Sequence, residues 1–298
     1  MSIESPPPED IRLSWQRQDI EQRLLFRGGR ATGVNNFLSA ILGLLMTVVF
    51  YAVLIPFDTS RVAGMFTRRG PVPYFIVFFT GWSLAILFLK WRKLAFQRRS
   101  LNLTVVPAEA DFILSPETVN MVTHRIRDVV DDPRHFVLLG RIEAALSNLR
   151  NLGRVTEVGD ILQSQAEADE SAMETGYLIV NGFVWAIPVL GFIGTVLGLS
   201  AAIGGFGHVL KSSQDMSALK SALQGVTGGL ATAFETTLEG LVAALAIQLI
   251  VTFLRKSELE FLDKCTEYCS RYIVNKLRLM PFQPDGDADD IIRSESSR

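Results

Sequence analysis

The sequence predicts an all-α, polytopic membrane protein with four transmembrane helices and a cytoplasmic helical region. Of its 298 residues, 48 % are hydrophobic and the mean hydropathy is +0.27, which is too apolar for an ordinary soluble domain of this size. The apolar residues are concentrated in blocks long enough for helices of about 20 residues to cross a bilayer. The polar stretch between the blocks repeats its apolar residues at helical spacing.

Four apolar blocks are candidates for spanning helices: residues 36–57, 71–89, 177–206 and 223–254. The first two are separated by a short hydrophilic turn at residues 58–70 and predict a helical hairpin. An outer loop at residues 208–217 is expected between the last two. Because the fourth block is longer than a bilayer needs, we expect it to tilt or to continue as a helix outside the membrane.

The distribution of positive charge predicts the orientation, because Lys and Arg accumulate on the cytoplasmic side of membrane helices. Basic residues cluster before the first block and after the second and fourth blocks, and the opposite loops contain fewer. The clustered residues are Arg12, Arg17, Arg23, Arg27 and Arg30; Lys90, Arg92, Lys93, Arg98 and Arg99; and Arg255, Lys256 and Lys264. Both termini are therefore predicted to be cytoplasmic.

The predicted organisation has five segments. Residues 1–35 form a cytoplasmic N-terminal segment, 36–90 a transmembrane hairpin, and 91–176 a cytoplasmic helical region; residues 177–254 form a pair of transmembrane helices, and 255–298 a cytoplasmic helix with a disordered tail. Within the first segment, residues 11–30 mix apolar and basic side chains, which favours either an interfacial helix on an anionic membrane surface or a polar lead-in.

The cytoplasmic region is predicted to be helical from about Glu117. Two sets of apolar residues recur at spacings of three and four. They are Val119, Val122, Ile126, Val129 and Val130, and Phe136, Leu139, Ile142, Leu146 and Leu149. Asp132 is a candidate N-cap between them, with Pro133 at the first helical position. The acidic stretch 157–174 is either a solvated face or a docking surface for a soluble partner.

Several functional classes are disfavoured by what the sequence contains. The net charge of −2 is not that of a nucleic-acid-binding domain. Cys265 and Cys269 are expected to be free thiols, since no further Cys or His nearby completes a metal site. The sequence contains no His-Glu-x-x-His zinc motif, no Glu-x-x-His di-iron set and no phosphate-binding loop. We therefore expect no enzyme activity and no cofactor.

The third and fourth blocks each place small residues along one side of a predicted helix. In the third block these are Pro188, Gly191, Gly194, Thr195, Gly198, Ala202 and Gly205. In the fourth they are Gly225, Gly228, Gly229, Thr232, Thr236, Thr237 and Gly240. The simplest interpretation is close helix packing, because glycines four residues apart allow two helix backbones to approach each other. We assign this packing role to Pro188, Gly191, Gly194, Gly198, Gly228, Gly229 and Gly240.

The two blocks also resemble a known family. The third contains Pro-x-x-Gly-x-x-Gly-Thr-Val-x-Gly from Pro188, and the fourth contains Ala-Thr-Ala-x-x-Thr-Thr-x-x-Gly-Leu-x-Ala-Ala from Ala231. Together they are similar to the MotA/TolQ/ExbB family of ion-driven stator proteins, over residues 182–254. The resemblance implies a multi-pass protein of the bacterial inner membrane that assembles as a homo-oligomer, a pentamer in this family.

The resemblance also implies a partner and an ion pathway. The partner is a single-span protein resembling ExbD, TolR or MotB, whose membrane aspartate carries the ion. By motif, Thr195 and Thr237 line the path near that aspartate, and Thr236 and Thr232 are the next candidates. Taken singly, a threonine in a membrane helix more often donates its hydroxyl to its own backbone than to a pore. The proton as the driving ion is likewise implied by the family.

Two acidic residues in the fourth block are not part of the family pattern. Glu235 and Glu239 lie one turn apart at membrane depth, where an ionisable group costs at least about 2.5 kcal/mol. They are candidates for protonatable stations on the ion path, for partners of buried groups, or for structural carboxyls kept neutral. The partners considered are Asn181, His208 or a basic residue of another subunit.

The predicted function is an ion-channel-forming stator subunit that uses the proton motive force to drive rotary or mechanical work across the envelope. The alternative is a non-conducting membrane scaffold that anchors a cytoplasmic helical module. An independent transporter is less well supported, because the sequence lacks an inverted repeat. The sequence does not distinguish a flagellar output from energy transfer to the envelope.

Overall fold

The fold is known from a computed structural model, which describes residues 13–18, 21, 29, 31–57, 59–103, 105–106, 114, 116–152, 156–212 and 216–277. The helices are α1 (Trp15–Gln18), α2 (Asn36–Leu54), α3 (Arg61–Thr67), α4 (Val72–Gln97), α5 (Pro116–Val129), α6 (Val137–Leu152), α7 (Thr156–Thr175), α8 (Leu178–Ser212) and α9 (Met216–Tyr272). Across this described part, β-type pairing is confined to two isolated bridges, Leu13 with Val130 and Leu114 with Leu277. The predicted all-α class is confirmed.

Helices α2, α4, α8 and α9 are long and apolar enough to cross a membrane, which confirms the four predicted spans within the described residues. The longest, α9, has 57 residues. At 1.5 Å per residue it is about 85 Å long, whereas the hydrocarbon core of a bilayer is about 30 Å thick. The fourth span therefore continues well beyond a bilayer as one unbroken helix, as predicted.

Both predicted connections between spans contain more helix than expected. The turn at 58–70 includes α3, whose N-terminus is capped by Ser60 as its hydroxyl accepts a hydrogen bond from the Ala63 amide. The loop at 208–217 is shorter than predicted, because α8 continues to Ser212 and α9 begins at Met216. No proline lies in that stretch to stop either helix.

The membrane helices pack around α4, α8 and α9. Helices α8 and α9 make the most extensive contact in the structure, and α4 packs against both of them. Helix α2 packs mainly on α4, with Gly43 against the backbone of Trp82. Large apolar side chains of α2, α8 and α9 remain exposed in the single chain, among them Trp185, Phe192 and Phe234. A bilayer or further protein copies must cover these surfaces.

A second bundle lies beyond the membrane helices. Helices α5, α6 and α7 pack on one another, and the C-terminal half of α9 packs on α6 and α7. The predicted apolar repeats form its core, with Ile126, Phe136 and Ile142 each no more than 1 % exposed. Asp132 caps a short 3-10 helix at Pro133–His135 by accepting a hydrogen bond from the Arg134 amide, at 3.0 Å.

The described part of the N-terminal segment packs on this second bundle. Trp15 is only 1 % exposed and its ring contacts Phe96, His135 and Phe136. Its indole is therefore part of a protein core, not a membrane-surface anchor. Most of residues 11–30, for which an interfacial helix was one interpretation, lie outside the described residues.

A buried polar cluster joins the two bundles. Glu258 of α9 accepts hydrogen bonds from the Tyr177 hydroxyl at 2.7 Å and from the Thr32 hydroxyl, and it pairs with Lys90 of α4 at 3.4 Å. The Lys90 ammonium lies 4.3 Å from the centre of the Tyr177 ring. Both charged side chains are almost fully buried. Since a buried charge is tolerated only with partners, this cluster fixes the relative positions of α4, α8 and α9.

A second buried ion pair lies one helical turn from the first. Lys93 of α4 pairs with Glu21 and also donates to the backbone carbonyl of Gly33. Together the two lysines attach the N-terminal segment to α4.

Cys265 and Cys269, further along α9, are buried as free thiols. The predicted segment boundaries at 90/91 and 254/255 fall inside α4 and α9, so the two bundles share continuous helices.

Replacing Glu258→Gln is expected to destabilise the protein, because it leaves the Lys90 charge buried without a counter-ion. Breaking a buried pair in this way lowers the free energy of unfolding by about 3 kcal/mol or more. Denaturant unfolding in detergent micelles, followed by circular dichroism, measures the change. Glu260→Gln is the matched control, since Glu260 is exposed and lies 3.9 Å from Lys256. Equal stability of the two variants would contradict the prediction.

Candidate ion-pathway site

Helices α8 and α9 approach each other closely at Gly198 and Gly229. A Cβ atom placed on Gly198 would lie 2.6 Å from the carbonyl oxygen of Gly229, and one on Gly229 would lie 2.5 Å from the carbonyl oxygen of Gly198. No larger residue fits at either position without moving a backbone. We call the α8–α9 contact built around these glycines the seam.

Most of the glycines assigned to packing lie on the seam. A Cβ on Gly191 would meet the Thr236 carbonyl oxygen at 2.8 Å, one on Gly194 would collide with the Thr236 side chain, and one on Gly240 would meet the Ile187 carbonyl oxygen at 2.9 Å. Pro188 follows Ile187 inside α8 and is partly buried.

Gly228 differs from the other glycines assigned to packing. A Cβ there would meet nothing within 4 Å, while its carbonyl oxygen faces the Arg69 guanidinium at 3.4 Å. Gly228 is therefore not on the seam.

All four candidate threonines donate their hydroxyls to backbone carbonyls in the single chain. Thr195 donates to Phe192 at 2.5 Å and Thr232 to Gly228 at 3.0 Å. Thr236 is fully buried in the seam and donates to the Thr232 carbonyl at 2.9 Å. The Thr237 hydroxyl lies 3.2 Å from the carbonyls of both Ala233 and Gly191.

The four candidate threonines differ in how far their side chains are exposed. Thr236 is enclosed between α8 and α9, whereas Thr195, Thr232 and Thr237 are each partly exposed. Thr237 lies at the edge of the seam, because its hydroxyl reaches the α8 carbonyl of Gly191. The ion-pathway role of all four residues stays a prediction.

Glu235 pairs with a basic residue of its own chain. The Arg69 guanidinium, in the connection between α3 and α4, makes two hydrogen bonds to the Glu235 carboxylate, from Nε at 2.5 Å and from Nη2 at 3.1 Å. Each side chain is about one quarter exposed. This partner was not among those considered from the sequence. The bidentate geometry indicates a charged carboxylate held by a charged guanidinium.

Glu239 has a different environment. It is 7 % exposed, and neither of its carboxyl oxygens has a hydrogen-bond partner. It lines a cavity of 610 Å³ between α9 and the hairpin, which we call the hairpin cavity. The other lining residues are Leu45, Met46, Thr47, Val49, Phe50, Phe66, Ile76, Val77, Thr80, Gly81, Leu84, Val242 and Ala243.

The seam and the acidic pair therefore lie on different faces of α9. Glu235 and Thr236 are consecutive residues, so their side chains point about 100° apart around the helix axis. Thr236 points into α8, whereas Glu235 points to Arg69 and Glu239 into the hairpin cavity. The candidate threonines and glutamates lie at a similar level along the α8–α9 pair, but they do not form one site.

The sequence did not identify Arg69 as the partner of Glu235. Three arginines, Arg61, Arg68 and Arg69, lie in a connection predicted to face away from the cytoplasm, where basic residues are disfavoured. A basic residue in this unfavourable place, together with an acidic residue inside another span, could have indicated an ion pair between the two.

Within the described residues, His, Cys, Asp and Glu side chains do not converge in a group of three that could bind a metal ion.

Comparison with known proteins gives one match. The sequence model of the MotA/TolQ/ExbB proton channel family matches residues 140–266. The predicted resemblance is confirmed over this region, which includes the seam and extends beyond the predicted 182–254 into α6, α7 and the C-terminal half of α9. Searches of curated proteins and of solved structures gave no significant match.

Replacing Gly229→Ala is expected to loosen the seam, since the added methyl group would overlap the Gly198 carbonyl and the Ala202 side chain. Overpacking of this kind costs about 1–3 kcal/mol. Gly228→Ala is the control on the adjacent residue, where the methyl group meets nothing and alanine's helix propensity favours the change. Thermal unfolding in detergent should show a lower midpoint for Gly229→Ala alone. A midpoint unchanged in both variants would show that the seam is not tightly packed.

Proposed function

From the match of residues 140–266 to the MotA/TolQ/ExbB proton channel family, we propose that this chain is an ion-channel-forming stator subunit. Several copies, in the family a pentamer, surround the membrane helices of a single-span partner resembling ExbD, TolR or MotB. The proton motive force drives an ion past a membrane aspartate of that partner. One charge crossing 100 mV supplies about 2.3 kcal/mol, which is the energy available for rotary or mechanical work.

The structural observation that supports this proposal is the pair of α8 and α9, packed closely through glycines, with one uncovered side. Helix α4 packs against both helices, which leaves other parts of their surface exposed. Uncovered apolar side chains include Phe192, Val196 and Leu238. In a ring of copies, this side would face the neighbouring copies and the lumen. Thr195 and Thr237, partly exposed, then supply hydroxyls in an otherwise apolar lining.

We propose an inner-membrane location with the second bundle in the cytoplasm. The basic residues at the ends of the spans support this orientation through the positive-inside rule. The buried Lys90–Glu258 cluster joins that bundle to the spans. A movement of α8 and α9 in the membrane would therefore be transmitted to the cytoplasmic bundle through continuous helix and a charged cluster, not through a flexible linker.

A non-conducting scaffold is the second candidate. The observation that favours it is that all four candidate threonine hydroxyls already donate to backbone carbonyls. A threonine satisfied in this way needs no water or ion. The two candidates differ in what removal of a hydroxyl should do.

The double variant Thr195→Val, Thr237→Val is expected to abolish most proton flux while preserving assembly. Valine keeps the shape of threonine but removes the hydroxyl from the lining. In vesicles containing the chain together with a single-span partner resembling ExbD, TolR or MotB, flux driven by a potassium diffusion potential should fall about tenfold or more, equivalent to about 1.4 kcal/mol in the barrier. A pH-sensitive dye inside the vesicles measures the flux.

Thr252→Val is the matched control, because Thr252 lies on α9, is exposed and donates only within its own helix, to Gln248. The control should conduct like the unmodified protein. Flux that is absent in the unmodified assembly, or unchanged in the double variant, would favour the scaffold.

A further inference from the structure

The hairpin cavity contains the one unexplained carboxyl group of the described membrane helices. Glu239 is more than nine-tenths buried, and both its oxygens are without a hydrogen-bond partner. A buried polar group left unpaired destabilises the fold, and a buried unpaired charge does so far more. A leucine at this position would fill the space without that cost. The carboxyl group therefore has a role other than packing.

The charged and titratable groups around Glu239 come from each element that packs against it. Helix α2 contributes Tyr51, whose hydroxyl is also unpartnered and whose ring stacks 4.5 Å from that of Tyr74 on α4. The α3–α4 connection contributes Arg69, and α9 contributes Glu235. Glu239 interacts electrostatically with both of these residues and with Tyr51.

One guanidinium, that of Arg69, interacts electrostatically with two carboxyl groups, those of Glu235 and Glu239. Arg69 is engaged in two hydrogen bonds to Glu235, so the ion pair neutralises Glu235 and leaves Glu239 without a counter-ion. If Glu239 were also ionised, two carboxylates one turn apart would carry a net negative charge in apolar surroundings. Two such groups disfavour double ionisation. The proton is therefore bound by Glu239, the carboxyl group that has no hydrogen bond to the guanidinium.

We propose that the hairpin cavity is a proton-binding site, separate from the seam, in which Glu239 binds the proton and Arg69 keeps Glu235 charged beside it. The site takes a proton and not a metal cation, because its other lining residues are apolar apart from the hydroxyls of Thr47 and Thr80. Both hydroxyls donate along their own helices, to Gly43 and Ile76. Arg69 is a positioning residue here, since it holds Glu235 by two hydrogen bonds and acts on Glu239 through its charge, without a hydrogen bond to it.

The site does not depend on the proposed stator function, because it is complete within one chain. The hairpin cavity lies between α9 on one side and α2, α3 and α4 on the other, on a different face of α9 from the seam. Binding or loss of the proton would therefore act on the contact between the hairpin and α9. Release of the proton would place a second carboxylate one turn from Glu235 and would draw Arg69 toward it.

Dicyclohexylcarbodiimide tests this assignment, because it is apolar and reacts with protonated carboxyl groups in apolar surroundings. The full-length protein in detergent micelles is treated with the reagent over a range of pH, and peptide mass spectrometry locates the N-acylurea product. We expect modification of Glu239 and not of Glu235, decreasing as the pH rises. In Arg69→Gln, Glu235 loses its counter-ion and should become modified as well.

Glu239→Gln is the folding control, since glutamine resembles a protonated carboxyl group in shape and charge. It should remain monodisperse, keep the thermal stability of the unmodified protein and lose the modification. Modification of Glu235 in place of Glu239, or no modification of Glu239 at any pH, would overturn the proposal. So would a large loss of stability in Glu239→Gln, which would identify an ionised structural carboxylate.

Discussion

The arrangement of the membrane helices depends on the contact of two helix backbones at Gly198 and Gly229. Because neither residue has a side chain, α8 and α9 approach until the carbonyl of each lies against the Cα of the other. Inside a bilayer there is little hydrophobic force between helices, so this packing contact supplies much of the association. It also encloses Thr236 and fixes which faces of α9 remain for other partners.

The faces of α9 differ in chemical character. One face packs against α8 through small residues, with Thr237 at its edge. Another carries Glu235 and Glu239 toward the hairpin, where Arg69 and an apolar cavity receive them. Further along the same helix, Glu258 joins Lys90 and Tyr177. A single 57-residue helix therefore links a candidate ion path, a candidate proton-binding carboxyl and the second bundle.

Much of the fold was predictable because membrane spans, helical periodicity and capping are local properties of sequence. The apolar blocks predicted the four spans, and the motifs around Gly194 and Thr236 predicted the resemblance to the MotA/TolQ/ExbB proton channel family, whose sequence model matches residues 140–266. The partner of Glu235 was not predictable in the same way, since Arg69 is 166 positions away and the pairing depends on how the hairpin docks. The separation of threonines from glutamates also required the structure, because helical spacing alone does not say which neighbour each face meets.

In the proposed assembly, α8 and α9 of adjacent copies line a lumen that admits a foreign helix. An electron cryomicroscopy structure of this chain, purified with a single-span partner resembling ExbD, TolR or MotB, would show whether that lumen exists. We predict a ring of copies, five by family resemblance, with partner helices inside and Thr195 and Thr237 facing them. A monomer, or a ring whose centre is filled by its own side chains, would contradict it.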